Sequence, residues 1–350
     1  MKRVYVLQYI KPLLLPAILL LYTNCTFTPW GVDLVQNVSQ SISGTPVNSY
    51  SPRTEKYDGI DQKSGFYKKT QVPYAVKGDS FYLPNSFLDI YYCTDDPETA
   101  AAYPTLFFIH GGCFWWGDNT TGNPIIRKDL YPYVQAIIAE GFNMIIFDYA
   151  VSPQYIFPSA LKQMNQAIQF LKDNEDTYKI SLDNLIIGGN SAGAVISSQY
   201  ITAVCSPAYM KAAGLPAMAL SPEQIKCAYI DDGFWDWVSM DIGTQYVAGN
   251  YMNRTIYLGA KKARVYNCVS YIKNNYPPTC LVAASFPAQH VYFQKKLKQE
   301  NVDCLLINPN WTRHANVEHC YLIRGVTGKD KNILKEFNQL INFMKQNTSE

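Results

Sequence analysis

The strongest constraint on how this chain can fold is a series of short runs that are apolar at nearly every position, each closed by a turn signal. "TLFFIHGG" (105–112), "NMIIFDYA" (143–150), "NLIIGGNS" (184–191), "IKCAYIDD" (225–232), "TCLVAAS" (279–285) and "CLLINPN" (304–310) have this form. An antiparallel strand with one wet face alternates apolar and polar residues, whereas a strand covered on both faces does not. These runs therefore predict buried, parallel strands. Between them lie stretches with helical period: "YPYVQAIIAEG" (131–141), closed by Gly141, and "SALKQMNQAIQFLKDN" (159–174). Further helices are expected from Ser191 to about Val204, near Tyr292–Gln299 and over Lys331–Lys345, and "SFLDIYYC" (86–93) reads as an earlier strand. Strands alternating with helices give an α/β fold, with a mostly parallel central sheet and helices on both faces. The 350 residues contain no internal repeat and can form one large domain with a sizeable core.

That order begins at about residue 71 and runs to residue 350. Residues 26–70 are rich in Ser, Asn, Pro and Tyr without a sustained period, and read as an irregular N-terminal arm. Ahead of them, Lys2 and Arg3 precede the apolar stretch Leu13–Tyr22, which has the length of a signal-peptide core and is too short to span a bilayer. Residues 1–25 are thus expected to be a leader and the protein to be exported, to the periplasm, the membrane surface or the medium. Cys25 follows "LLLYTN", where a lipoprotein carries its lipidated cysteine, but Tyr22 and Asn24 depart from the usual small-residue box. Simple cleavage and membrane tethering through the N-terminus both stay open.

Charge is balanced, with Lys+Arg 30 against Asp+Glu 28, so there is no basic surplus to hold nucleic acid. The nine cysteines show no close pairs with zinc or thioredoxin spacing, and nothing in the sequence calls for a metal or an organic cofactor. Cys113 has no base near it in the sequence and reads as a small packed thiol.

"LIIGGNSAGAVISS" (185–198) breaks from an apolar run into glycines around one serine and turns apolar again. Gly189-Asn190-Ser191-Ala192-Gly193 fits the strand–turn–helix elbow in which flanking glycines let strand and helix approach while the turn exposes a nucleophilic hydroxyl. A serine merely filling a tight turn would give the same five residues. Other segments discriminate. "IHGGCFWWGD" (109–118) resembles the His-Gly-Gly loop of α/β-hydrolase esterases, and "DYAVSPQYIFPSAL" (148–161) resembles their Asp-Tyr-Arg-Leu-Ala-Pro-Glu-x-x-Phe-Pro-Ala segment. "NCVSYIKNNYPPTCLVAAS" (267–285) is similar to the run that leads into their acid-bearing turn. Together these cover about residues 70–345 in the expected order. They point to the branch holding hormone-sensitive-lipase-like, feruloyl-esterase-like and kynurenine-formamidase-like carboxylesterases.

The resemblance implies roles. Acyl transfer passes through a tetrahedral oxyanion, which needs backbone N–H donors aimed at it. Gly111, Gly112 and Ala192 fill that role, with Cys113 standing where a third glycine is usual. His110 orients the loop. The base follows the last strand, either His319, with Tyr321 close behind it, or His314. The acid expected after "PPTCLV" is missing, because that turn reads "AASFPAQH" and Ser285 stands near its place. Asp232 or Asp231, at the end of the preceding strand, are the alternatives. Asn190 and Gln163 also stand where Asp is frequent in such enzymes.

Two functions follow from this reading. One is an exported serine carboxylesterase in which Ser191 and His319 act on a small-molecule ester through an acyl-enzyme. The other is a hydrolase-fold binding protein weakened by loss of the acid. Phe114, Trp115, Trp116, Phe234, Trp235 and Trp237 either border the pocket mouth or pack a small cap formed by Asp236–Tyr276. The sequence does not decide between these, nor does it give the substrate or the oligomeric state.

Overall fold

The computed structural model describes residues 56–79, 82–83, 85–115, 117–118, 130–255, 258–312, 317–326, 328 and 330–348. The leader, Cys25, Trp116 and His314 lie outside the described residues.

A sheet of nine strands organises the chain, in the order β1-β2-β3-β5-β4-β6-β7-β8-β9. Their ranges are β1 Tyr57–Ile60, β2 Tyr67–Pro73, β3 Phe87–Tyr91, β4 Thr105–Ile109, β5 Asn143–Phe147, β6 Leu185–Asn190, β7 Ile225–Asp231, β8 Thr279–Val282 and β9 Cys304–Ile307. β1, β2 and β3 pair antiparallel, as does β3 with β5; from β5 onward every pairing is parallel. The apolar runs account for the parallel part. In β4, Phe107 and Ile109 pack into one core while Leu106 and Phe108 pack into the other, so each residue in turn is buried.

Helices cover both faces. On one lie α2 (Ser159–Asp173), α3 (Ala192–Cys205) and α5 (Pro287–Gln299), through residues such as Leu161, Val195 and Phe293. On the other lie α1 (Tyr131–Ile138) and α6 (Lys331–Thr348), through Val134, Ile137, Leu340 and Ile341. A further helix, α4 (Ile242–Asn253), falls within the segment expected to form a cap.

Two local expectations differ from the structure. The arm drawn as irregular to residue 70 contains β1 and most of β2, so residues from Tyr57 onward join the sheet. Helix α5 starts at Pro287, five residues before Tyr292, because proline suits a first helical turn, where no amide is needed. The eight described cysteines form no disulfide with one another.

Candidate active site

β6 ends at Asn190, and α3 starts at Ala192, leaving Ser191 alone to turn the chain at φ 56° and ψ −118°. Left-handed backbone of this kind is costly for a residue with a Cβ and is maintained here by its surroundings. The Ser191 N–H donates to the Asp231 carbonyl at 2.7 Å, tying the elbow to β7. Gly193 explains the second glycine, since a Cβ there would lie 2.0 Å from the Ile109 carbonyl oxygen. Helix α3 thus rests directly on the end of β4.

Ser191 Oγ lies 2.9 Å from His319 Nε2, and His319 Nδ1 lies in very short contact with Asp232 Oδ2. The tautomer that fits carries its proton on Nδ1, donated to Asp232, and leaves Nε2 to accept from the serine hydroxyl. Ser191 is nearly buried, Asp232 fully so, and the His319 side chain keeps 28% of its surface exposed. Of the two candidate acids, Asp232 is the one that reaches the histidine.

The turn without a carboxylate contributes amides instead. Ala284, Ser285 and Phe286 donate their N–H groups to Asp232 at 3.0, 2.9 and 3.1 Å, and Cys320 adds a longer one at 3.4 Å. The end of β7 bends back at Asp232, with φ 53°, to place the carboxylate among them. Burial opposes ionisation of Asp232, but the His319 charge and hydrogen bond, with the amides, hold it well below the usual carboxylate range. Its neighbour goes the other way. Asp231 is fully buried, is pushed well above the ordinary value by burial and by the Asp232 charge, and receives only the Tyr229 hydroxyl, at 3.1 Å on Oδ2.

The loop after β4 needs one correction. The Gly111 N–H, expected to face an oxyanion, donates to Asn190 Oδ1 at 2.9 Å and is thereby occupied. Among the described residues, the amides of Gly112, Cys113 and Ala192 have no such intramolecular acceptor. Gly112 takes φ 123° and Cys113 φ 56°, so the chain turns sharply at these two residues. His110 is buried, donates from Nδ1 to the Gly111 carbonyl at 2.7 Å, and stacks on Tyr149 at 4.4 Å between centroids. Burial lowers it to about 4, so it is neutral and braces the loop. The Cys113 thiol is pushed up to about 12 by burial, which leaves it protonated.

The other departures from the family pattern have visible partners. Gln163 Oε1 accepts the Ala150 N–H at 2.6 Å while its Nε2 donates to Tyr74 Oη and Asn85 Oδ1 at 3.1 and 3.2 Å. It uses both halves of an amide, which a carboxylate could not do. The aromatic residues turn out to be packing: Phe114, Trp115, Phe234, Trp235 and Trp237 are all buried. Phe114 stacks on Tyr251 of α4 at 4.0 Å, and Trp235 Nε1 donates to Ser198 Oγ at 2.7 Å. Phe286 does line the site, its ring edge-on to His319 at 5.7 Å. Nothing in the sequence marks this residue beyond its place in the expected acid turn.

Side-chain donor atoms of Asp232, His319 and Cys320 lie within 4.8 Å of one another, the kind of grouping that can hold a metal ion. The Cys320 thiol is pushed well above its ordinary value by burial and nearby carboxylates, whereas a metal needs the thiolate. Asp232 and His319 Nδ1 are already joined to each other. The set is better suited to hydrogen bonding than to coordination.

The profile of the BD-FAE family matches residues 88–286, more than half of the chain. The chain belongs to this family. It is an α/β-hydrolase of the esterase type. Solved structures with the same fold include esterase B of Lactobacillus rhamnosis carrying a tributyrin phosphonate inhibitor (TM-score 0.62, 16% identity, covering 80% of this chain and 87% of that one). A truncated carbohydrate esterase from gut microbiota is similar at TM-score 0.62 and 15% identity, over 86% of this chain and 100% of its own. A carboxylesterase of Lactobacillus plantarum WCFS1 follows at 0.59 and 14%, over 85% and 100%. In sequence, a kynurenine formamidase of Debaryomyces hansenii is 36% identical over 98 residues, 28% of this chain. The chain spans about a third (31%) of the length of that curated relative.

Proposed function

We propose that the chain is an exported serine carboxylesterase acting on small-molecule esters. The observation that carries this reading is the unbroken hydrogen-bonded line Ser191–His319–Asp232 at the end of the sheet. In the proposed reaction, Ser191 Oγ attacks the ester carbonyl carbon as His319 Nε2 takes its proton. The carbonyl oxygen becomes an oxyanion facing the amides of Ala192, Gly112 and Cys113. Asp232 stabilises the imidazolium, which then returns the proton to the departing alcohol. Water, activated by the same histidine, releases the acid from the acyl-serine. An aryl formamide would enter the same sequence, with an amine as leaving group, and the partial match to a kynurenine formamidase supports including one among the substrates tested. Export rests on the basic and apolar pattern of residues 1–25. The alternative of a weakened binding protein drew its support from a missing acid, and a carboxylate now stands beside the histidine.

A fluorophosphonate probe tests the mechanism without requiring the right substrate, because labelling needs an activated serine and an oxyanion hole. We expect covalent labelling of the folded protein, abolished in Ser191→Ala. Absence of labelling on the folded wild-type protein would overturn the reading.

A further inference from the structure

Asn190 is buried at the last position of β6, directly before the proposed nucleophile. Its Oδ1 accepts the Gly111 N–H at 2.9 Å, linking the nucleophile strand to the loop after β4 across 79 residues of sequence. The loop sits tightly on this part of the chain. A Cβ at Gly111 would lie 3.0 Å from both Asn190 Nδ2 and Ser191 Cβ. With the first loop amide held in this way, the next two, at Gly112 and Cys113, are left without an intramolecular acceptor among the described residues. Holding one peptide plane fixes where its neighbours point, since the backbone has only two soft dihedrals per residue.

The chemistry of the position favours an amide. In the parallel register Asn190 lies opposite Asp231, whose Oδ1 is buried without a partner, and Asp232 follows immediately. A carboxylate at 190 would add a third acid to this buried corner, whereas an amide supplies the same acceptor oxygen without charge.

We propose that Asn190 is the positioning residue of the oxyanion hole: by holding the Gly111 N–H it turns the Gly112 and Cys113 amides toward the reacting carbonyl oxygen. The proposal rests on the serine-esterase reading for its catalytic consequence, but not for the loop geometry. Asn190→Leu removes the acceptor at similar volume. It is expected to lower kcat on p-nitrophenyl acetate about 10²-fold, the scale of a misplaced transition-state contact, with KM within about threefold. Asn190→Asp keeps an oxygen on the Gly111 N–H and is expected to hold kcat within about tenfold of wild type. A residue needed only for folding would not separate kcat from KM or be rescued in this way.

Amide hydrogen exchange in peptides covering Gly111 reads the same contact with no substrate present. Exchange should speed up about tenfold in Asn190→Leu and stay slow in Asn190→Asp, as for a lost and a retained hydrogen bond. If Asn190→Leu does not fold, Asn190→Ala, which also lacks an acceptor, carries the comparison. Unchanged exchange at Gly111, or kcat within threefold of wild type in the folded variant lacking the acceptor, overturns the proposal. If the wild-type protein neither turns over esters nor reacts with a fluorophosphonate, the esterase reading fails. The exchange measurement then still decides whether Asn190 holds the loop.

Discussion

Asp232 is where residue-level chemistry departs most from the expected pattern, and the departure has a physical cause. An acid on the turn after β8 would have been the ordinary solution, but here that turn donates three amides to a carboxylate arriving from β7. We expect Asp232→Asn to lower kcat about 10⁴-fold with little change in KM, as when a triad acid loses its charge and the histidine its tautomer. Steady-state kinetics on a short p-nitrophenyl ester would check this. Ser285→Asp should not help, because it sets a second carboxylate against Asp232, and kcat should fall about tenfold or more. A gain in that variant would mean that the acid site is incomplete. The sequence made Ser191 and His319 legible through local motifs and chain order. It left Asp231 and Asp232 as alternatives, because adjacent residues on a strand end differ only in the direction the backbone gives them. The reversal at φ 53° that aims Asp232 has no sequence signature such as glycine. The role of the Gly111 amide is hidden for a similar reason, since nothing in the loop says that Asn190, 79 residues away, accepts it.

At the scale of elements, the strands most readily read were β4 to β8, buried at nearly every position, and β9, whose apolar run is legible although it lies at the far edge and is half-buried. β1 and β2 escaped notice because they lie at the sheet edge and carry edge chemistry. "YDGI" is mostly exposed, and "YKKTQVP" carries two lysines and loses its alternation where the register shifts between Lys69 and Val72. There Gln71, at φ 55°, donates its N–H to Asp89 Oδ1 at 2.8 Å, so a side chain replaces part of the ladder. The cap aromatics were legible as a cluster but not in their role, since a ring stacked on another looks in sequence like one that lines a cavity. The contact that sets the elbow is between elements, where α3 meets the end of β4. Gly193→Ala would drive a Cβ to 2.0 Å from the Ile109 carbonyl oxygen, a backbone atom that cannot yield. We expect a loss of about 3 kcal/mol or more in urea unfolding, or no soluble protein. Gly259→Ala, with nothing within 4 Å of its added Cβ, should cost less than about 1 kcal/mol and serves as the control.

Across the whole molecule a net charge of +2 gives little general electrostatic drive, so the dependence of stability on pH falls to the few buried groups that titrate. Asp232 is depressed: the unfolded chain takes up its proton first as pH falls below about 4, and stability is lost there. His110 and His290 are both lowered by burial, so the unfolded state also binds protons ahead of the folded one as pH falls below about 6.5. All three act in the same direction and favour acid unfolding. Asp231 opposes them. Its folded value is raised, so above about pH 4 the unfolded chain ionises while the folded one keeps its proton, and stability falls as pH rises, by up to about 1.4 kcal/mol per pH unit. Asp231→Asn removes that opposing slope while preserving the shape of the side chain. It should therefore raise the urea midpoint at pH 7, with the gain shrinking toward zero near pH 4. Equal gains at both pH values would show that the buried carboxyl is not what titrates. A loss at pH 7 would mean that its charge is used in the folded state, beside the same strand end that supplies the proposed catalytic acid.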